Sequence, residues 1–399
     1  MSGAFRRSLL PARPASGLSL IELMVGLAIG AILTIGLLQI FSASRVSSQT
    51  QEGLSRVQEN GRFAIQYIQR GLRQVGYTGC GTDVARARHA SFVNHLSNYI
   101  DGSVPGGPQY RFQRQLDGFR AGVGTAPGEF SAITPVANTD VLIMRVFGED
   151  RVPVLSTVRT NTNRSMDIVL ADGTLDFLPE DGKLALFAMQ NCRSSEVFAG
   201  KISGNKLIVE GTAAPNVYGD PSATDCGLAA CPWAHTSNAF QAAKPLSGGP
   251  ARLNVDVQRA EYMALFVMNR PDTSTPALYM RRFQRDSTTL GSPEELVEGV
   301  ENMQLRYGFD TDDNGTADEY RTAAEVVAGA VDDGARDVRW RQVVSVRVAL
   351  LLRSPDRAAV PSGTRKYSLL GTEVTPPDDG AMRQVYETTI ALRNRMFNT

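Results

Sequence analysis

The stretch from Leu18 through Phe41 reads LSLIELMVGLAIGAILTIGLLQIF, about 24 residues with a single charge, Glu22, near its start. At about 1.5 Å per helical residue such a run crosses the roughly 30 Å hydrocarbon core of a bilayer. Ahead of it lie Arg6, Arg7 and Arg13, no acid, and the helix-unfriendly Pro11 and Pro14. Arginines before the span and none inside it put the leader in the cytoplasm and the bulk of the chain across the membrane.

An ordinary secretory signal would be cut after its apolar run, behind small residues, and Ser42, Ala43 and Ser44 offer such a pattern. A plain signal peptide or a signal anchor is therefore the simplest reading of hydropathy alone. Glu22 argues against it. A carboxylate inside an apolar span costs about 2.5 to 3.5 kcal/mol at mid-membrane, less near the interface, and calls for a partner that neutralises it.

The string Gly17-Leu18-Ser19-Leu20-Ile21-Glu22-Leu23-Met24-Val25 resembles the prepilin signature of type IV pilins and type II secretion pseudopilins. The resemblance implies peptidase cleavage after Gly17, N-methylation of Leu18 as the new first residue, and an assembly role for Glu22. Phe is the commonest residue after the cut, and this chain has Leu there. The physics agrees with the signature: a freshly exposed amine on one apolar helix can neutralise the Glu22 carboxylate of a neighbour in low dielectric. Gly26, Gly30 and Gly36 lie within the span, where small residues allow close helix approach or merely tolerate burial.

Beyond the span the pattern is that of an amphipathic stem. Leu54, Val57, Gly61, Ala64, Ile68, Leu72 and Val75 recur at spacings of three and four, with charged and amide residues between them. Ser42 to Gln49 is weakly patterned, and the stem is expected to end between Gly71 and Gly79. From Cys80 onward short apolar runs alternate with turn formers. Strands are expected at Val141 to Phe147, Met166 to Leu170, Leu184 to Met189, Lys206 to Val209, Tyr262 to Met268, Leu278 to Phe283, Met303 to Phe309, Val343 to Leu352 and Val385 to Leu392. Pro and Gly clusters, the last at Pro245 to Pro250, read as loops. The expected fold class is α+β and pilin-like: a long N-terminal helix, membrane-spanning in its first half, then a large antiparallel β-rich region. Its expected segments are a leader (1–17), a transmembrane or filament-core helix (18–41), a helical stem (42–78), a β-rich lobe with long loops (79–250) and a C-terminal β-rich lobe (251–399).

Lys plus Arg and Asp plus Glu number 41 each, so no global field draws the chain to nucleic acid. The four cysteines, Cys80, Cys192, Cys226 and Cys231, fall on the outer side of the membrane, where disulfides persist. Three connectivities exist; a local Cys226–Cys231 loop with a long-range Cys80–Cys192 staple is favoured over a zinc site, which would call for C-x-x-C spacing. Asp310, Asp312, Asn314, Thr316 and Asp318, with Gly315 at the sixth place, match the first nine positions of an EF-hand-like calcium loop. The twelfth position is Arg321 rather than Glu, leaving a shorter calcium loop completed by Glu319 or a distant carboxylate, or a solvated turn joining two strands. Calcium is the one cofactor the sequence suggests. Three histidines, no H-E-x-x-H, no G-x-S-x-G and no phosphate loop give no catalytic constellation. Acid pairs such as Glu294 with Glu295 and Asp332 with Asp333 read as solvated charge.

The stretches Arg62 to Tyr67, Leu72 to Cys80, Val300 to Asp310 and Ile390 to Arg395 resemble the PilW minor pilins. That likeness implies a low-abundance subunit that primes filament assembly from the inner membrane and then sits at the pilus tip, serving twitching motility, adhesion or DNA uptake. Implied partners are prepilin peptidase, other minor pilins, the major pilin and a PilY-family tip adhesin. The alternatives are a J-type pseudopilin of type II secretion, usually much shorter, and a calcium-dependent adhesin tethered by a signal anchor.

Overall fold

The computed structural model describes residues 19–77, 91–96, 107–160, 165–171, 179–190, 194–210, 255–273, 275–357 and 363–395. The chain begins with one helix, α1 (Leu20–Gln74). Eight strands follow: β1 (Ser91–Asn94), β2 (Leu116–Arg120), β3 (Asp140–Phe147), β4 (Val152–Thr160), β5 (Ser165–Leu170), β6 (Leu184–Gln190), β7 (Ser194–Ser203) and β8 (Lys206–Glu210). Then come β9 (Asp256–Asn269), β10 (Pro276–Arg282), β11 (Glu294–Glu298), β12 (Val300–Phe309) and β13 (Glu319–Arg321). The helices α2 (Ala323–Val326) and α3 (Asp333–Arg341) precede β14 (Val343–Arg357), β15 (Tyr367–Leu369), β16 (Thr372–Val374), β17 (Ala381–Ala391) and a 3-10 turn, Arg393–Arg395.

The expected α+β architecture forms: one long helix, then antiparallel sheet. Strands β1 to β11 make an eleven-stranded sheet, and a second sheet has the order β13-β12-β14-β17. The pairing of β1 with β7 is parallel, whereas the long ladders of β9, β12, β14 and β17 are antiparallel. Strand β9 joins two regions. Its first residues pair with β4 and β6, as in Val152↔Val257 and Gln190↔Asp256, and its later ones with β3 and β10, as in Leu142↔Leu265 and Ala277↔Met268. The eleven-stranded sheet therefore takes strands from both sides of residue 250.

Only the second half of α1 is packed. Gly53, Val57, Gly61, Ala64, Ile68, Gly71 and Leu72 are buried, the stripe of a helix seated on a sheet. They enter a core with Val346, Val348, Leu350 and Leu352 of β14, Ile390 of β17 and Met144 of β3. Three glycines set how closely the helix lies. A Cβ on Gly61 would come 2.5 Å from Cε2 of Tyr386, and one on Gly71 would come 2.9 Å from Cε of Met144. One on Gly53 would touch Cβ of Ser354 at 3.4 Å. The stripe thus starts one residue earlier than the pattern of large apolar residues suggests: Leu54 is 37% exposed, and the buried Gly53 faces Ser354 instead.

The helix end is finished by distant residues. Val75 is extended and Gly76 has φ +86°, a left-handed geometry suited to glycine. Nδ2 of Asn394, in the C-terminal turn, donates to the carbonyls of Arg73 at 2.9 Å and Val75 at 3.2 Å. Orphan carbonyls of the last helical turn are satisfied in this way. Arg395, 1% exposed, donates to the carbonyls of Trp340 and Val343.

Helix α3 carries acids read from sequence as solvated. Asp332 and Asp333 are exposed, as are Glu294 and Glu295, and each also has a partner: Asp332 caps the helix, accepting the Ala335 N–H at 2.7 Å. Asp333 and Asp337 grip two arginines that precede β2, with Arg111 to Asp333 at 2.9 Å and Arg114 to Asp337 at 2.6 Å. Glu295 likewise pairs with Arg270 at 3.2 Å, and Glu294 with Arg282 at 3.1 Å. Charge spacing alone gives no hint of partners so distant in sequence.

Replacing Gly61 by Val tests the docking geometry. Helix propensity favours Val over Gly by only a few tenths of a kcal/mol, whereas overpacking a tight contact costs about 1 to 3 kcal/mol. The variant should therefore unfold at lower denaturant concentration than the parent. Gly26→Val, at a position with nothing within 4 Å of an added Cβ, should leave the globular transition where it is.

Candidate assembly site

The first half of α1 stands clear of the protein. From Leu20 to Phe41 the large side chains are exposed, Leu20 at 77%, Ile32 at 69% and Ile40 at 70%. No residue of its most apolar 18-residue window is buried within the fold, which separates it from a soluble core helix. Its polar groups are turned inward on the helix. The Thr34 hydroxyl donates to the Gly30 carbonyl at 2.7 Å and that of Ser42 to Leu38 at 2.7 Å. Bonds of this kind satisfy hydroxyls without water. Gly26, Gly30 and Gly36 have nothing within 4 Å of an added Cβ, so their faces are open to a neighbour. The helix runs unbroken through Ser42 to Gln49, where the sequence pattern is weakest.

At its start the helix is closed by a reciprocal cap. Ser19 is the N-cap, its hydroxyl accepting the Ile21 N–H at 3.3 Å, while Glu22 reaches back to accept the Ser19 N–H at 3.0 Å. This is a capping box, in which two otherwise unpaired backbone donors are satisfied. The lone charge of the span therefore sits on the first turn, beside the positive end of the helix dipole. Gly17 and Leu18 lie outside the described residues, as do Cys80, Cys192, Cys226 and Cys231.

The expected calcium residues are brought together by the connection between β12 and β13. One carboxylate oxygen each of Asp310, Asp312 and Asp318 lies within 4.8 Å of the others, Asp310 buried and the other two exposed. Asp310 accepts the N–H groups of Asn314 at 3.2 Å and Gly315 at 2.7 Å. Asp312 accepts from Nδ2 of Asn314 at 2.9 Å, and the side-chain Oδ1 of Asn314 accepts the Thr316 N–H at 2.8 Å. The Thr311 hydroxyl and N–H both donate to Asp318, holding its carboxyl below the ordinary Asp range. Both Thr311 donors fall on Oδ2 of Asp318, while the oxygens of Asp310 each accept one N–H and keep a second lone pair, and an all-oxygen donor set of this kind fits a hard cation. Glu319, the neighbour that could complete the set, is paired with Arg321 instead.

The comparisons with known proteins come from both ends of the chain. Residues 12–38 match the prokaryotic N-terminal methylation motif, and residues 265–394 match the family described as Type IV Pilus-assembly protein W. No curated protein matches. Among solved structures, the Type IV-like pilin TTHA1219 from Thermus thermophilus is 16% identical over 35% of this chain and 67% of its own, with a TM-score of 0.21, too low to bear on the fold. Residues 265–394 run from the second half of β9 to Asn394, and so include the sheet that holds α1 and the residue that closes its end. The chain thus carries a prepilin-type methylation signature at one end and, at the other, a region similar to the PilW family of type IV pilus assembly proteins.

Proposed function

We propose that the protein is a minor pilin, anchored in the inner membrane by Leu18 to Phe41 with its globular region periplasmic, that primes pilus assembly and then occupies the tip. The observation that carries this reading is the division of α1: one half is locked into the β region, the other is bare, apolar and long enough to span a bilayer. A rigid projecting helix with one carboxylate on its first turn can pass from lipid to a bundle of like helices without refolding. Its partners would be other minor pilins and the major pilin, with prepilin peptidase acting first and a PilY-family adhesin above it. Twitching motility, adhesion and DNA uptake are all served by such a subunit. The role is structural rather than catalytic.

Processing is tested by the intact mass of the protein from membranes. A chain beginning at methylated Leu18 is expected; one that keeps Met1, or that begins near Ala43, would sink the reading. Assembly is tested with Glu22→Ala, which removes one member of a pair buried in low dielectric, a loss of about 3 to 5 kcal/mol. The variant should insert normally and be depleted in sheared pili, and its undiminished recovery there would oppose the proposed pairing.

The convergence of three carboxylates supports a second, smaller proposal, that the 310–318 loop takes calcium. Adding calcium to about a millimolar should raise the melting temperature of the parent and not that of Asp312→Ala. Equal melting with calcium and with chelator would remove the site. The pairings Cys80–Cys192 and Cys226–Cys231 are proposed on compartment and spacing, and peptide mapping without reductant decides them.

A further inference from the structure

The sheet face opposite α1 carries two arginines set directly across from each other. Arg306 of β12 and Arg347 of β14 are register partners. Their chain neighbours Leu305, Tyr307, Val346 and Val348 point into the core that receives α1, so strand alternation places the arginines on the outer side. Like charges directly opposed in a sheet are destabilising. Such a pair persists at a cost to the fold unless an anion lies between the two guanidinium groups.

The same sheet shows what relieves such a pair. Arg353 of β14 and Arg383 of β17 are also register partners, and the chain supplies carboxylates for them. Asp379 lies 3.0 Å from Arg353 and 2.9 Å from Arg383, and Glu301 lies 2.6 Å from Arg383. Arg306 and Arg347 receive nothing comparable. Arg306 donates to the Leu305 carbonyl at 2.9 Å and to the Thr372 hydroxyl at 3.2 Å, and Arg347 lies over the Tyr320 ring, 3.7 Å from its centroid. Neither has a carboxylate within ion-pair distance among the described residues.

The acids around them are committed elsewhere. Glu325 and Asp140 feel the Arg306 charge, but Glu325 is held by the N–H and hydroxyl of Thr322, and Asp140 by Arg120 and the Leu305 N–H. Glu387 accepts the Leu370 N–H at 3.3 Å, and Glu373 pairs with Lys366 at 3.1 Å.

We propose that Arg306 and Arg347, flanked by Tyr320, form a docking site for a carboxylate side chain on an acidic segment of a partner protein. Cross-strand side chains on one face stand about 5 Å apart at Cβ, close enough for both guanidinium groups to converge on one carboxylate. A nucleic-acid backbone fits less well, because the chain as a whole is neutral, with 41 charges of each sign, and two opposed guanidinium groups match one carboxylate rather than a run of phosphates. The arginines would bind such a segment whether or not the chain enters a filament.

The experiment uses the full chain in detergent micelles and a fluorescent hexaglutamate peptide, read by anisotropy, with hexaglutamine and a DNA hexanucleotide as further probes. The parent should bind hexaglutamate in preference to both. Arg347→Gln and Arg306→Gln should each weaken it by about tenfold, the loss expected for one charge-assisted contact, whereas Arg282→Gln on another surface should not. Both weakening variants should melt at or above the parent temperature, since each removes a like-charge repulsion. The proposal is overturned if hexaglutamate fails to bind, or binds parent and Arg347→Gln alike. It is overturned too if the oligonucleotide binds more tightly and loses that binding in Arg347→Gln, or if Arg347→Gln lowers the melting temperature as much as Arg383→Gln, which would make the pair a part of the fold.

Discussion

The placement of the projecting helix depends on how α1 meets the two sheets, β14 and β17 of the second and β3 of the first. The contact is made by residues that are small or absent as side chains, Gly53, Gly61, Ala64 and Gly71, with Val57, Ile68 and Leu72 filling the spaces between. Backbone-to-sheet approach of this kind rests on shape more than on the amount of apolar surface. It fixes one half of a helix of about 80 Å and thereby aims the other half outward. Were the stem held loosely, the projecting half would have no fixed direction, and a bilayer or bundle of helices could not receive it in one orientation.

The two halves of the helix use glycine in opposite ways. In the stem, atoms added at Gly61 or Gly71 would strike Tyr386 or Met144, so the partner surface is already present. In the span, Gly26, Gly30 and Gly36 meet nothing, and their partner surface lies outside the chain. Glu22 shows a similar incompleteness: its carboxylate is held by the Ser19 N–H, a contact that closes the helix but gives the charge no counter-ion among the described residues. Under the pilus reading, a neighbour's amine would add to that bond or displace it.

How much could be read beforehand varied with the range of the interaction. The N-terminal helix was legible because its cause is local, an unbroken apolar run with one acid and then a 3.6-residue stripe. The nine expected strands correspond to β3, β5, β6, β8, β9, β10, β12, β14 and β17, and all but β17 bury most of their apolar residues. Some that escaped notice are short or polar, as β2 (LDGFR), β11 (EELVE) and β13 (EYR), but β4 and β7 are long and paired on both sides, their apolar residues interrupted by Pro, Ser, Thr, Gly and Lys. Helix α3 escaped because it is built for charge, not burial, and only the fold reveals Arg111 and Arg114 as the partners of Asp333 and Asp337. The acidic loop was legible as a set of residues, since its spacing is local. That Glu319 is turned to Arg321 was not, because two neighbouring side chains could each have faced either way.

Asn394 gives the architecture a direction in time. It stands 321 residues beyond Arg73, whose carbonyl it covers, and contacts of such separation form late because a long loop must close first. During synthesis the stem emerges early, yet the sheet beneath it and the amide that seals it emerge near the other extremity of the chain. Until then the glycine-lined stripe has no sheet to receive it. The helix made first is finished last.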